Sequence, residues 1–204
     1  MFKHTLPSFL PLLIPSLTWK VQTNDKAVFL TFDDGPHPEI TPWVLQTLSA
    51  YNAKATFFCV GENVTRFPGT YHKILSEGHA TGNHTYNHIK GWNTPNQHYF
   101  DNVSLCAAVV KSKLFRPPYG RIGPLQIKAL QKQGYTIVMW DILTRDYDAG
   151  VDVAKAIEET VRATQNGSII VFHDSEKAQK QLKQILPEVL KQLSGKGFTF
   201  KQLA

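Results

Sequence analysis

Two adjacent acidic residues, Asp33 and Asp34, stand at the end of an apolar run and directly before Gly35-Pro36. The run, Ala27–Phe32, is rich in β-branched and aromatic side chains, which is typical of a buried strand, and the Gly-Pro pair indicates a turn. Asp before Gly is also common in tight turns, where the carboxylate only hydrogen-bonds the nearby backbone. Whether these two carboxylates do chemistry therefore depends on partners elsewhere in the chain.

Two histidines, His84 and His88, stand four residues apart in the stretch GNHTYNH. If the segment is helical, both imidazoles lie on one face and could bind one metal ion. The pair alone is a weak signal, because two histidines on a solvated helix face are commoner than two ligands. A set of two histidines and one carboxylate with an open position is, however, a known hydrolytic metal arrangement. Asp33 or Asp34 could complete that set and leave its neighbour free to accept a proton.

Further polar residues end later strand-like runs. They are Arg116 and Tyr119 in RPPYG, Asp141, Asp146 and Asp148 in MWDILTRDYD, and His173 and Asp174 in VFHDS. Parallel α/β folds assemble their active sites at the carboxyl ends of their strands. We therefore expect these side chains to share one edge of the sheet with the two aspartates and the two histidines.

The elements that must position these residues alternate along the chain. The strand-like runs are Ala27–Phe32, Ala55–Val60, His79–Gly82, Leu114–Arg116, Thr136–Ile142, Ser168–Phe172 and Phe198–Lys201. The helical patterns between them are Pro42–Tyr51, Phe67–Glu77, Tyr99–Lys111, Pro124–Gln133, Val151–Thr164 and Ala178–Leu193. This alternation predicts an α/β fold whose sheet is parallel. About seven such strands could close into a distorted (β/α) barrel, smaller than the usual eightfold one.

Composition narrows the class of protein. A chain of 204 residues with 42% hydrophobic and 19% charged residues predicts one globular domain. The net charge is +6, but the basic residues are scattered, so we expect no nucleic-acid partner. The chain contains no Gly-rich phosphate loop, which argues against nucleotide binding. Cys59 and Cys106 lie in apolar runs and are expected to be two buried thiols, neither a disulfide nor metal ligands.

The N-terminal stretch is apolar but is interrupted by Pro7, Pro11 and Pro15. It is too short and too broken for a transmembrane helix, and no small-residue cleavage site follows it. We expect residues 1–26 to pack on the domain formed by residues 27–204, with an atypical export signal as the alternative. The expected location is the cytoplasm by default, and no stable membrane insertion is expected.

Five motifs in this order, TFDDGP, HTYNH, RPPYG, WDILTRDYD and VFHD, resemble those of the polysaccharide deacetylases of carbohydrate esterase family four, the NodB-homology family. The likeness covers nearly the whole chain from Ala27 onward. It implies a NodB-type distorted (β/α) barrel and a divalent metal, usually Zn²⁺, with Co²⁺ or Ni²⁺ as alternatives. It also implies hydrolysis of acetyl groups on acetylated glycans such as peptidoglycan or chitin-type N-acetylglucosamine. We expect a monomer.

The resemblance assigns roles to residues of the first three motifs. It makes Asp33 the catalytic base, oriented by Arg116. It makes Asp34 a metal ligand together with His84 and His88. The chemistry is consistent, because a bound metal lowers the pKa of water towards about 7 and polarises the acyl oxygen.

The resemblance also assigns roles near the cleft wall. The backbone N–H of Tyr119 would help to form the oxyanion site, and Val171 would lie on the wall of the acetyl pocket. His173 is the implied general acid, with Asp146 as the acidic residue that tethers it. The family usually has Trp after that aspartate, whereas this chain has Tyr147, which changes the pocket wall.

Three functions stay open on the sequence alone. The first is a metal-dependent glycan deacetylase, and the second is a hydrolase of small non-carbohydrate amides on the same fold. The third is a non-catalytic metal- or glycan-binding module, which would need neither Asp33 nor His173. Asp141, Asp148 and Asp174 are expected to be structural. His37, His72, His79 and His98 are expected to be surface or satisfied core histidines.

Overall fold

The computed structural model describes residues 14–204, and within them it contains eight strands and seven α-helices. The strands are β1 (Ala27–Asp33), β2 (Thr56–Cys59), β3 (Ala80–Asn83), β4 (Leu114–Phe115), β5 (Thr136–Ile137), β6 (Ile142–Leu143), β7 (Ile169–His173) and β8 (Thr199–Lys201). The helices are α1 (Ile40–Ser49), α2 (Gly61–Arg66), α3 (Pro68–Ser76), α4 (Asn96–Val109), α5 (Pro124–Lys132), α6 (Val153–Ala163) and α7 (Gln179–Gly195). A single 3₁₀ turn, Pro118–Gly120, follows β4.

The sheet is parallel throughout, in the order β5-β4-β3-β2-β1-β7-β6. The eighth strand, β8, pairs with the first half of β1, where Ala27 lies opposite Thr199. The predicted distorted (β/α) barrel of about seven parallel strands is confirmed, in the form of a curled half-barrel. Within residues 14–204 the two end strands, β5 and β6, do not pair with each other.

The centre of the sheet is a continuous apolar layer. Every residue of β1 and β2 is buried, because helices pack on one face of these strands and strand side chains such as Phe29 and Phe58 pack together on the other. The ring of Phe32 stacks on Phe57 and on Phe172, at centroid distances of 5.0 and 5.5 Å. Helix α7 contributes a stripe of buried leucine, isoleucine and valine at helical spacing. This core fixes β1 and β7, whose carboxyl ends carry functional side chains.

The run Thr136–Ile142, which the sequence predicts as one strand, is two short strands at opposite ends of the sheet. The prediction was wrong because the N-terminal segment intervenes. The Met139 N–H donates to the carbonyl of Thr18 at 2.7 Å, and the Asp141 N–H donates to the carbonyl of Ile169. The chain thus crosses from β5 to β6 over the open side of the half-barrel.

Asp141 consequently lies away from the edge where the sequence grouped it. Its carboxylate accepts hydrogen bonds from the Ser168 hydroxyl and the Ile169 N–H, both at 2.7 Å, at the amino end of β7. The expectation that Asp141 shares the carboxyl edge of the sheet was wrong. The expectation that it is structural agrees with these contacts.

The N-terminal segment contacts the domain at several of its described residues. Leu17 and Trp19 are buried, and the backbone of Lys20 forms an isolated antiparallel β-bridge with that of Ser168. The part of the 1–26 prediction that covers residues 1–13 lies outside the described residues. Cys59 and Cys106 are buried free thiols, as predicted. In the described part of the chain, no helix has the length and apolar character needed to cross a bilayer.

Candidate active site

A cleft of about 760 Å³ opens at the carboxyl ends of the strands. Asp33 ends β1 and lies opposite His173, which ends β7. His84 directly follows β3 and Arg116 directly follows β4. The topology therefore brings to one edge most of the polar residues that the sequence grouped there.

Asp33 and Asp34 both face the cleft although they are neighbours in sequence. Successive side chains of a strand point to opposite faces, so a continuing strand would separate the two carboxylates. Asp34 has instead left the extended conformation and has φ of 80°. Because Asp tolerates this left-handed region better than most residues, the turn can present both carboxylates on one side.

Asp34, His84 and His88 form the only cluster of three or more potential metal ligands among residues 14–204. One atom from each lies within 4.8 Å of the others. The Asp34 Oδ1 is 3.1 Å from His88 Nε2 and 3.8 Å from His84 Nε2. Two imidazole nitrogens and one carboxylate oxygen converging in this way are a donor set that Zn²⁺ accepts, with a fourth position left for water.

The protonation states also suit a cation. His84 Nδ1 lies 2.7 Å from the carbonyl of Arg116, and since a carbonyl only accepts, the proton is on Nδ1 and the Nε2 lone pair faces Asp34. Burial lowers the pKa of His84 to about 4, so the ring is neutral at pH 7. Burial alone would raise the pKa of Asp34, but the hydrogen bond with His88 and the nearby imidazoles hold it well below its usual range. The residues present therefore fit a divalent cation.

The segment that carries the two histidines is an irregular loop and not a helix. The helical condition considered for this pair is therefore not met, although both imidazoles do converge. Thr85 and His88 have φ of 62° and 54°, conformations that a helix excludes. The loop is fastened by buried Asn102 of α4, whose Oδ1 accepts from the N–H groups of Tyr86 and Asn87 at 2.7 and 3.0 Å. Sequence reasoning missed Asn102, which stands in an unremarkable helical pattern.

Arg116 is fully buried beside Asp33. Its Nη1 donates to the Asp33 Oδ1 and to the Thr31 hydroxyl, both at 2.7 Å. Its Nε and Nη2 donate to the carbonyls of Val138 and Met139. Because each of its nitrogens has an acceptor, the guanidinium is held rigidly and in turn fixes the Asp33 carboxylate.

His173 and Asp146 form a second buried pair. The Asp146 carboxylate accepts from His173 Nδ1 and from the His173 backbone N–H, both at 2.8 Å. This leaves Nε2 of the ring free for the cleft. Although burial alone would lower the pKa of His173, the charge and hydrogen bond of Asp146, with the more distant Asp34 and Asp33, raise it to about 9. The imidazole is thus held protonated at neutral pH, as a general acid requires.

The pKa of His173 supplies a prediction. In the metal-free protein we expect its imidazole to titrate near pH 9, above the ordinary value, and Asp146→Asn to lower that pKa, because burial is then opposed only by the more distant Asp34 and Asp33. Since the folded-state pKa is the raised one, the pair stabilises the fold fully below about pH 6.5 and loses that effect as the pH rises through 9. Titration of the ring signals by NMR measures this directly. A His173 pKa unaffected by Asp146→Asn would contradict it.

The cleft walls are partly apolar. Val171 is buried and lines the cleft together with Leu143 and Trp140. The Tyr147 ring stands edge-on to His173, with centroids 4.9 Å apart. The Tyr119 ring lies 4.8 Å from that of His88, and its backbone has φ of 60° within the 3₁₀ turn. Leu143 was not identified from the sequence, because nothing in a short apolar run tells a wall residue from a core residue.

Asp148 and Asp174, which the sequence also grouped at this edge, make hydrogen bonds that hold neighbouring parts of the chain. Asp148 pairs with Arg145 and accepts from the Gly150 N–H. Asp174 is buried behind the Asp33–Asp34 turn, where it accepts from the Gly35 N–H and the Thr41 hydroxyl.

Four histidines without an assigned role, His37, His72, His79 and His98, lie outside the cleft lining. His79 is a buried acceptor of the Ala55 N–H, and His37 accepts from N–H groups at the start of α1. His72 and His98 are exposed.

Comparison with known proteins identifies relatives of this chain. The family model described as polysaccharide deacetylase matches residues 20–138. A peptidoglycan-N-acetylglucosamine deacetylase of Bacillus cereus is 35% identical over 190 residues, covering 90% of this chain and 89% of that protein. A chitooligosaccharide deacetylase of Azorhizobium caulinodans is 30% identical, covering 76% of this chain and 77% of that protein.

A solved structure gives the same answer for the fold. The crystal structure of the Bc1960 peptidoglycan N-acetylglucosamine deacetylase superposes with a TM-score of 0.85 at 31% identity, covering 97% of this chain and 95% of that one. Both the sequence and the fold thus place this protein with one group of enzymes. The chain belongs to the polysaccharide deacetylase family, the NodB-homology group of carbohydrate esterase family four.

Proposed function

We propose that the protein is a metal-dependent N-deacetylase that hydrolyses the acetamido group of N-acetylglucosamine in a glycan and releases acetate. The observation that carries this proposal is the shared cleft of three groups: the ligand cluster Asp34, His84 and His88, the Asp33–Arg116 pair, and the His173–Asp146 pair. A binding module would need only the first of the three groups.

The chemistry requires three aids, because an amide is a poor electrophile with a poor leaving group. A divalent cation held by Asp34, His84 and His88, most simply Zn²⁺, would supply an acidified water and a polarised acyl oxygen. Asp33 accepts the proton of the water that adds to the acyl carbon, and Arg116 keeps its carboxylate aimed. The backbone N–H of Tyr119 is proposed to donate to the oxygen that becomes negative.

Collapse of the adduct breaks the C–N bond. His173 gives the proton on its Nε2 to the departing nitrogen, which leaves as the free amine of the sugar, and the acyl group leaves as acetate. Asp146 holds the ring and stabilises its charged form until that transfer. Val171 and Tyr147 are proposed to enclose the acetyl methyl group, which is apolar.

The proposed substrate class is peptidoglycan first and chitin-type oligomers second. It rests on the names of the relatives: the Bacillus cereus protein is a peptidoglycan-N-acetylglucosamine deacetylase, and the more distant Azorhizobium protein is a chitooligosaccharide deacetylase.

The testing experiment measures acetate released by the purified protein from peptidoglycan fragments, N-acetylglucosamine oligomers, acetylxylan and a set of small non-carbohydrate amides. We expect release from the first two, with none from Asp33→Asn protein. Activity confined to small amides would favour the alternative hydrolase. No release from any substrate by protein with bound metal would favour a binding module and contradict the proposal.

A further inference from the structure

The rim of the cleft carries two long cationic side chains, Arg121 and Lys177, that the proposed reaction does not use. Each lies over an aromatic ring. The Arg121 guanidinium carbon is 5.5 Å from the Trp92 ring centroid, and the Lys177 Nζ is 5.4 Å from that of Tyr147. The two cations thus stand at different parts of the rim, one near the Tyr119 turn and one near His173.

Arg121 has no charge partner among residues 14–204. Glu62 also lines the cleft, but its carboxylate has other partners. It forms an ion pair with Arg66 at 3.8 Å and accepts a hydrogen bond from the Asn87 side-chain amide at 3.3 Å. Lys177, by contrast, interacts electrostatically with the Asp148 carboxylate and shares the cleft lining with Glu176. Arg121 is therefore the cation that is left available to a negatively charged ligand.

The backbone beneath Arg121 is fixed while its side chain is exposed. The Arg121 N–H donates to the Pro118 carbonyl, and its own carbonyl accepts from Gly91 at 2.8 Å. The Trp92 Nε1 donates to the Ile122 carbonyl, which ties the aromatic ring to the same turn. Because the backbone of Arg121 and the ring beneath its guanidinium are already fixed, less conformational entropy is lost when the side chain binds a ligand.

The surroundings suit a sugar that carries an anion. Trp92 and Tyr119 are 53% and 64% exposed, unusual values for rings of this size, and exposed aromatic faces can pack against apolar surface of a ligand. Arg121 is two residues from Tyr119, whose ring contacts the metal ligand His88, so the guanidinium is within reach of the glycan unit next to the reacting one.

We propose that Arg121, stacked on Trp92, binds a carboxylate of the glycan beside the N-acetylglucosamine unit being deacetylated, and so selects carboxylate-bearing glycans over neutral ones. The inference rests on the proposed function. A planar guanidinium pairs with a carboxylate through two parallel hydrogen bonds, which a neutral chitin-type chain cannot offer. In peptidoglycan the carboxylate comes from the lactyl ether of the muramic acid unit or from the stem peptide.

The test compares kcat/KM for acetate release from three substrates of equal length. They are a peptide-free N-acetylglucosamine–N-acetylmuramic acid oligomer, the same oligomer with its lactyl carboxyl groups amidated, and the same oligomer with stem peptides. We expect the wild-type protein to prefer the free carboxylate over the amide by about 10-fold, the size of a charged hydrogen bond. Arg121→Gln should bring that ratio close to one, and the preference should weaken at high salt.

Two further variants make the assignment specific. Arg162→Gln removes the same charge from an exposed position on α6 and should keep the wild-type ratio. The wild-type protein could instead prefer only the oligomer with stem peptides over the amidated oligomer. If Arg121→Gln removes that preference, the carboxylate lies on the peptide and the proposal is still supported. A ratio unchanged in Arg121→Gln, or lost only in Lys177→Gln, would overturn it. If the wild-type protein releases acetate from none of the substrates, the proposed function itself fails.

Discussion

Asp33→Asn protein is expected to deacetylate glycans about 1000-fold more slowly than the wild type, within the range for loss of a general base. The amide of asparagine has nearly the shape of the carboxylate and can still accept the hydrogen bond of Arg116 Nη1, but it cannot take a proton from water. The proposed metal ligands Asp34, His84 and His88 are unchanged, so bound metal per protein molecule should not change. Steady-state acetate release with parallel metal analysis separates the two quantities.

The same substitution should also weaken the fold. Arg116 is fully buried, and its charge is then left without an opposite charge beside it. Breaking a buried ion pair by neutralising one partner costs about 3 kcal/mol of unfolding free energy, although the Thr31, Val138 and Met139 oxygens still accept from the guanidinium. Urea unfolding measures this loss.

Asp141→Asn is the matched control for Asp33→Asn. Asp141 is also a hydrogen-bonded carboxylate, but it lies at the amino end of β7 beside Ser168, away from the cleft. It should lower stability and leave the rate of acetate release per folded molecule unchanged. Equal losses of rate in Asp33→Asn and Asp141→Asn proteins would mean that Asp33 acts only through the fold.

His88→Ala is expected to lower metal affinity by at least about 100-fold, because loss of a ligand should exceed the effect of losing a residue that merely orients one. Acetate release at limiting metal should fall by a similar factor and recover in part when excess Zn²⁺ is added. His88 is the suitable ligand to change, since its side chain is 28% exposed, whereas that of His84 is 2% exposed and packs in the interior. Isothermal titration with Zn²⁺ measures the affinity.

The control for His88→Ala is His98→Ala, an exposed histidine of α4 that lies outside the cleft lining. It should bind metal as the wild type does. If both variants bound metal with wild-type affinity, the cluster of Asp34, His84 and His88 would not be the metal site.

The sequence predicted best what depends on local pattern. Strand β1 and the turn after it could be predicted from an apolar run that ends in Asp-Asp-Gly-Pro, and the parallel sheet from the alternation of strands and helices. The gathering of Asp33, Arg116 and His173 at one edge followed from the rule that parallel α/β folds place polar residues at the carboxyl ends of their strands. For these features, the spacing of apolar residues and the order of the motifs along the chain were enough to make the prediction.

What the sequence could not predict depends on contacts between distant segments. The break in Thr136–Ile142 arises because the Thr18 carbonyl takes the Met139 N–H, more than a hundred residues away along the chain. The His84–His88 loop takes its shape from Asn102, so the spacing of four residues suggested a helix that is absent. The sequence pattern around each segment contains no signal for either contact.

The most direct test of a metal-dependent deacetylase is acetate release from N-acetylglucosamine oligomers by chelator-stripped protein as Zn²⁺ is added back. We predict no release without metal and activity that rises linearly and reaches its plateau at one Zn²⁺ per chain. Full activity in the stripped protein would contradict a metal-dependent mechanism. So would protein that binds one Zn²⁺ per chain and still releases no acetate.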